Sequence, residues 1–218
     1  ERQDKITTRR NMTSASPTPA LELRAGALRL AIRPDLGGAV AGFWHDTTPI
    51  LRSCETADLV ASRPSACFPM VPYSNRIGYR HFRWLGRDFT TAANFEPGYP
   101  HSLHGTVWQE PWRVTGTNAA QAELAVTHLA NEHWPFNFDV TQSFELSESA
   151  LTMRLTLTNI DARTQPAGLG WHPYFPKRSR SRLHLECNQR WESDPTTQLP
   201  TRRVQQASID GEVRHLDF

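Results

Sequence analysis

Prolines and glycines interrupt this chain so often that no window long enough for a stable helix remains. The 218 residues include 16 prolines and 12 glycines, and both residue types break helices. Between these breaks, apolar side chains often fall on alternate positions, as on a half-buried strand. Many short strands separated by turns predict an all-β sandwich or barrel. The predicted strands lie within residues 23–32, 39–44, 79–84, 112–115, 122–128, 138–146, 151–160 and 183–187, with turns at 35–38, 85–88 and 147–150.

Length and charge favour one globular domain without a nucleic-acid partner. The hydrophobic fraction is 38%, the charged fraction 21% and the net charge +2, values typical of a globular protein. No break in composition divides residues 21–218, which we expect to form one domain. Residues 1–20 are polar and are predicted to be a disordered tail. The densest basic run, 177–182, is more typical of a solvated loop than of a phosphate or nucleic-acid site.

The cysteines and the hydropathy indicate a reducing compartment. Cys54, Cys67 and Cys187 are an odd number without CxxC spacing, which argues against a disulfide framework and a zinc ribbon. No apolar run approaches a membrane span, and no signal sequence opens the chain. We therefore expect a cytoplasmic protein with no membrane partner; its oligomeric state does not follow from the sequence.

Segment 168–176 surrounds His172 with aromatic side chains. Trp171, Tyr174 and Phe175 offer flat surfaces suited to the apolar face of a sugar or to a protein core. Two glycines allow other backbone to come close, and a proline stiffens the chain after the histidine. A histidine titrates near neutral pH and can therefore donate or accept a proton. Alone, the pattern is more typical of a structural histidine.

Two further segments combine polar and aromatic residues. Segment 68–78 is rich in proline and places Asn75 and Arg76 just before a strand. Asn offers a donor and an acceptor, and Arg a rigid fork of donors, which suits hydroxyl recognition. The alternative for Arg76 is a contact that stabilises the loop.

Segment 101–108 contains two histidines, His101 and His104. With His172 they would make a three-histidine zinc site. Pro100 and Gly105 make a helix unfavourable here, and no carboxylate or cysteine stands nearby to strengthen a metal site. We therefore expect no metal, and we expect the remaining histidines to be structural or at the surface.

In order and spacing, the three segments resemble the aldose 1-epimerase (galactose mutarotase) family. The resemblance covers about residues 21–218. It implies a large antiparallel β-sandwich, a supersandwich, with the sugar in an open cleft on one sheet. The matching motifs are Asn75-Arg76-Ile77, Leu103-His104-Gly105 with Trp112 downstream, and Gly170-Trp171-His172-Pro173-Tyr174-Phe175.

The resemblance also implies roles for individual residues. Such an enzyme opens the hemiacetal ring of an aldose and closes it on the other face. His172 would be the general acid at the ring oxygen O5, and His104 would hydrogen-bond near that oxygen. Arg76 would bind sugar hydroxyls, Asn75 would support it, and the aromatic residues near His172 would form a stacking wall. The implied partner is a small sugar, and the reaction needs no metal or organic cofactor.

One departure concerns the general base, which in this family is a glutamate in a strand well after the His-Pro-Tyr-Phe motif. The sequence ends at Phe218, earlier than is usual in the family. Asp217 stands about where a substrate-binding aspartate is expected, or that aspartate lies further on. The glutamates Glu186, Glu192 and Glu212 do not match the context of the base. Either later strands supply the base, or a partner chain does, or the protein is not catalytic.

Two alternatives to a free-hexose epimerase therefore stay open. The first is a carbohydrate-binding module with the same cleft and no turnover, motivated by the unassigned base. The second is an epimerase for a hexose 6-phosphate, motivated by the basic run at 177–182.

Overall fold

The computed structural model describes residues 19–212, and these residues are almost entirely strand and turn. Single 3₁₀ turns lie at Gly78–Arg80 and Val107–Gln109. Within this range no helix is long and apolar enough to cross a membrane. The strands are β1 (Leu21–Ala25), β2 (Leu28–Arg33), β3 (Ala39–His45), β4 (Thr48–Pro49), β5 (Pro69–Met70), β6 (Arg76–Ile77), β7 (His81–Trp84), β8 (Arg87–Thr90), β9 (Ser102–Leu103), β10 (Arg113–Thr117), β11 (Gln121–His128), β12 (Phe138–Leu146), β13 (Leu151–Asn159), β14 (Gly170–Trp171), β15 (Arg182–Leu185), β16 (Gln189–Ser193), β17 (Pro200–Gln205) and β18 (Ile209–Glu212).

Two four-stranded antiparallel sheets, β1-β2-β3-β4 and β10-β11-β12-β13, form the body of the fold. Their inner faces share one hydrophobic core. Leu30 and Phe43 enter it from the first sheet, and Val140 and Phe144 from the second. Burial of each such side chain contributes about 1.5–3 kcal/mol, so this shared face holds the two sheets together. The predicted antiparallel β-sandwich is confirmed.

The alternation of apolar residues in β12 explains how the second sheet faces the core. Phe138, Val140 and Phe144 are buried, and the residues at the odd-numbered positions 139, 141, 143 and 145 are more exposed. Gln142 also points inward and is 0% exposed. Its Nε2 donates to the carbonyl oxygen of Gly38 at 2.7 Å, which links the second sheet to the turn before β3. A buried amide without such a bond would be costly.

Most predicted strands differ from the observed ones by one or two residues at their ends, and the hairpin at 147–150 is confirmed. The predicted strand 79–84 was wrong in its first two residues. Tyr79 and Arg80 have φ angles of 52° and 62°, which belong to a left-handed conformation that ends an extended strand. Leu85 and Gly86 also have positive φ, 46° and 77°. They form a two-residue turn of the kind that matches strand twist, so β8 begins directly after it instead of after residue 88.

Candidate active site

Two short antiparallel ladders bring the three predicted segments together. In the first, β5 pairs with β14 and places Met70 opposite Gly170. In the second, β6 pairs with β9 and places Arg76 opposite Leu103. Segment 68–78 therefore lies between the other two segments and is hydrogen-bonded to both.

Backbone hydrogen bonds fix the two histidines of the site. The amide of His172 donates to the carbonyl of Phe68 at 3.0 Å, and the amide of His104 donates to Asn75 at 2.9 Å. His104 itself is left-handed, with φ of 61°, and is followed by Gly105 with φ of 76°. A Cβ on Gly105 would lie 1.9 Å from the carbonyl oxygen of Val71, so only glycine fits this turn.

A cleft with a cavity volume of about 370 Å³ lies where the segments meet. This volume is within the range of small-molecule sites. Arg76, His104 and His172 all line it, together with aromatic side chains that include Phe68 and Trp108. Of the other predicted site residues, Asn75 is exposed beside the cleft, and Asp217 lies outside the described residues.

The ring of His172 packs against two aromatic rings. Its centroid is 4.7 Å from that of Phe68 and 4.6 Å from that of Tyr174. His104 meets it edge to face at 5.2 Å with an interplanar angle of 80°. The guanidinium carbon of Arg52 lies 3.8 Å from the centroid of the Tyr174 ring. These ring contacts hold the His172 side chain in place.

The predicted aromatic wall is only partly in the cleft. Tyr174 lines it, whereas Trp171 and Phe175 line a separate apolar groove with Leu51 and Met153. In an extended segment successive side chains point to opposite sides. Residues one or three positions from His172 therefore lie on the side opposite to its ring, whereas Tyr174, two positions away, lies on the same side. The sequence pattern indicated an aromatic cluster but not this division.

The environment of His104 keeps its imidazole neutral. Burial is the largest cause, and the neighbouring His172 and Arg76 act in the same direction, lowering the pKa of His104 to about 4. Its Nδ1 lies 3.2 Å from the carbonyl oxygen of Ser74. A carbonyl oxygen only accepts, so Nδ1 carries the proton and Nε2 is left as an acceptor. Burial, aided by the charge of Arg52, also lowers the pKa of His172.

The titration of His104 is a testable consequence. We expect its Cε1 proton resonance to stay at the neutral-form position from pH 8 to 5 and to move only near pH 4, since the folded pKa lies below the ordinary 6.5. Because the fold favours the neutral imidazole, His104 contributes its full stabilisation of the folded state above pH 6.5. This stabilisation is lost as the pH falls from 6.5 towards 4. An NMR titration checks this, with His104→Gln assigning the signal. A midpoint near 6.5 would contradict the buried, neutral imidazole.

Three side chains orient the guanidinium of Arg76. Its Nε donates to Tyr99 Oη at 2.5 Å, Nη1 to Asn75 Oδ1 at 3.0 Å, and Nη2 to Gln198 Oε1 at 3.0 Å. Sequence reasoning missed Tyr99 and Gln198. Gln198 is 122 positions from Arg76, and no local pattern points to it.

His101 does not join the other two histidines. It is 1% exposed. Its Nδ1 accepts from the amide of Tyr79 at 2.8 Å, and Nε2 donates to the carbonyl of Thr197 at 2.9 Å. Both ring nitrogens are therefore engaged by backbone, which indicates a structural role. Within residues 19–212 no group of three His, Cys, Asp or Glu could hold a metal ion.

Among the described residues, Glu96 is the one carboxylate that lines the cleft. Arg63 Nη1 donates to its Oε1 at 2.6 Å, so this carboxylate is already paired. Glu192, one of the glutamates considered from the sequence, binds Arg190 and Arg202 instead of lining the cleft.

The chain is similar to known proteins in sequence and in fold. The family model for aldose 1-epimerase matches residues 19–214. YphB, an uncharacterised protein of Escherichia coli K12, is 35% identical over 169 residues, which are 78% of this chain and 56% of that protein. The crystal structure of a candidate aldose 1-epimerase from Escherichia coli K12 has a TM-score of 0.80 at 30% identity, covering 89% of this chain and 66% of that one. For a galactose mutarotase-like protein from Clostridium acetobutylicum the TM-score is 0.71 at 22% identity, with 84% and 60% covered. This chain thus spans less than two thirds of these relatives' lengths.

Proposed function

Given that the chain belongs to the aldose 1-epimerase family, we propose that it interconverts the α and β anomers of a free hexose such as glucose or galactose. The observation that carries this proposal is the pair of partly buried imidazoles, His104 and His172, 5.2 Å apart in a cleft that also holds Arg76. The imidazoles supply proton transfer to the ring oxygen, and the guanidinium supplies binding of the sugar hydroxyls; the reaction needs both.

In the proposed reaction His172 donates its proton to the ring oxygen O5 as the C1–O5 bond breaks. A general base, which the family takes from a glutamate in a later strand, accepts the proton of the C1 hydroxyl. The open-chain aldehyde forms, rotates about C1–C2 and closes on the other face. His104, with an unprotonated Nε2, accepts a hydrogen bond from the anomeric hydroxyl adjacent to O5. Arg76 donates to other hydroxyls, since its guanidinium retains N–H groups beyond the three that bind protein, and Asn75 supports it.

The pairing of Glu96 with Arg63 favours a second candidate. Removal of the proton from the C1 hydroxyl needs a base, and this carboxylate is held by an ion pair at 2.6 Å. A cleft that binds a sugar without converting it needs no free carboxylate, and among the described residues this cleft has none. The second candidate is therefore a carbohydrate-binding module.

The basic run 177–182 gives little support to a phosphorylated substrate. None of its residues lines the cleft, and the guanidinium of Arg178 donates to the carbonyl of Pro49 at 2.7 Å. We expect catalytic efficiency on glucose to equal or exceed that on glucose 6-phosphate. A clear preference for the phosphorylated sugar would reverse this ranking.

Polarimetry on freshly dissolved α-D-glucose tests the proposal. We expect the chain read to the stop codon of its gene to accelerate the approach to equilibrium rotation. The 218-residue chain alone, run beside it, shows whether these residues contain the base. If neither protein accelerates the change while glucose or galactose still binds, the epimerase proposal fails and the binding module replaces it.

A further inference from the structure

The loop between β16 and β17 reaches the cleft from a distant part of the chain. It comprises residues 194–199, which we call the hairpin tip. The carboxylate of Asp194 accepts from the amides of Thr196 and Thr197 at 3.0 and 2.7 Å, and so shapes the loop. The hairpin tip therefore has a defined conformation where it approaches the cleft.

Consecutive residues of the hairpin tip contact the segments that build the cleft. The carbonyl of Thr197 accepts from the buried ring of His101 at 2.9 Å. Leu199 packs against Gly78, where an added Cβ would lie 3.0 Å from its Cδ1. Gln198, between them, lines the cleft itself. Contacts on both sides fix the position of Gln198 relative to the cleft.

The carboxamide of Gln198 is held by its oxygen. Oε1 accepts from Arg76 Nη2 at 3.0 Å and from Tyr99 Oη at 3.2 Å. No hydrogen bond among the described residues uses its Nε2, so two N–H donors remain at the cleft. The backbone of Gln198 is left-handed, with φ of 59°, a conformation that costs about 1–2 kcal/mol for a residue with a side chain. The surrounding contacts hold Gln198 in this conformation.

We propose that Gln198 is a specificity-determining contact, whose Nε2 donates to a sugar hydroxyl other than the one on C1. This inference rests on the proposed function of the cleft as an aldose site. An oriented, uncharged donor suits a hydroxyl oxygen better than an anion, which would seek the neighbouring guanidinium of Arg76. Because hydroxyl orientation distinguishes one hexose from another, a fixed donor at this position selects among them.

Binding of glucose, galactose and the 2-, 3-, 4- and 6-deoxy analogues of glucose, measured by isothermal titration calorimetry, tests the proposal. We expect Gln198→Ala to weaken glucose binding about fivefold to tenfold, the loss of one neutral hydrogen bond. One deoxy analogue should bind the unaltered protein more weakly than glucose by a similar factor, and Gln198→Ala should no longer distinguish it from glucose.

Two further variants separate a sugar contact from support of Arg76. Gln198→Glu keeps an oxygen for Arg76 and Tyr99 but removes both N–H donors, so it should lose the same discrimination as Gln198→Ala. Gln205→Ala, an exposed glutamine of the same hairpin, should behave as the unaltered protein. If Gln198→Glu discriminates normally, or if Gln198→Ala still distinguishes every analogue, Gln198 is not a sugar contact. If the unaltered protein binds no aldose, the proposed function itself fails, and the role of Gln198 with it.

Discussion

Replacing His172 by alanine is expected to abolish mutarotation in the active protein, with a rate loss of about 10²–10⁴-fold. The ring packs against Phe68 and Tyr174 and meets His104 edge to face. His104 is too seldom protonated at neutral pH to replace it as the acid, because its pKa is lowered to about 4. Sugar affinity should fall less than about tenfold, because hydroxyl binding by Arg76 stays in place. Polarimetry gives the rate and calorimetry the affinity.

A matched substitution controls for the loss of a histidine as such. His45→Ala changes an exposed histidine at the end of β3 and should leave both measurements unchanged. The pH dependence gives a second check. Since the pKa of His172 is lowered, its acidic form becomes scarcer above that pKa, and the rate should fall as the pH rises through neutrality. Unchanged turnover in His172→Ala would remove His172 from the mechanism.

The second large effect is expected for Gly105→Ala, which should lower the free energy of unfolding by about 3–5 kcal/mol. The added Cβ would lie 1.9 Å from the Val71 carbonyl oxygen, and the residue has φ of 76°. The backbone at residue 105 must therefore move. This displaces His104 before it and Thr106 after it, whose amide donates to the carbonyl of Val71. Urea denaturation measures the change, and sugar binding should weaken with it.

Two other glycines separate the causes of this loss. Gly86→Ala places a Cβ at a φ of 77° with no atom within 4 Å, so it should show only the conformational cost, about 1–2 kcal/mol. Gly116→Ala has neither a positive φ nor a near neighbour and should change stability little. If Gly105→Ala destabilises no more than Gly86→Ala, the close approach of Val71 is not what requires glycine there.

The strands were predictable because their signal is local. In β12 every second residue from 138 to 146 is buried, and the same alternation is visible in the sequence. Local patterning failed at strand ends whose position is set by a contact with a distant residue. Tyr79 leaves the extended conformation where its amide donates to His101, 22 positions away, and no pattern within residues 79–84 indicates that bond.

By itself, then, the sequence determined the all-β class, the longer strands of the two main sheets and the three motifs with His104, His172 and Arg76. Only the tertiary structure decided which side chains share the cleft. It divided the aromatic residues around His172 between two sides, paired Glu96 with Arg63, and brought Gln198 to Arg76 across 122 positions. The periodicity of a strand depends on neighbours along the chain. Hydrogen-bond partners and burial depend on which segments meet in space, and the lowered pKa of His104 follows from that burial.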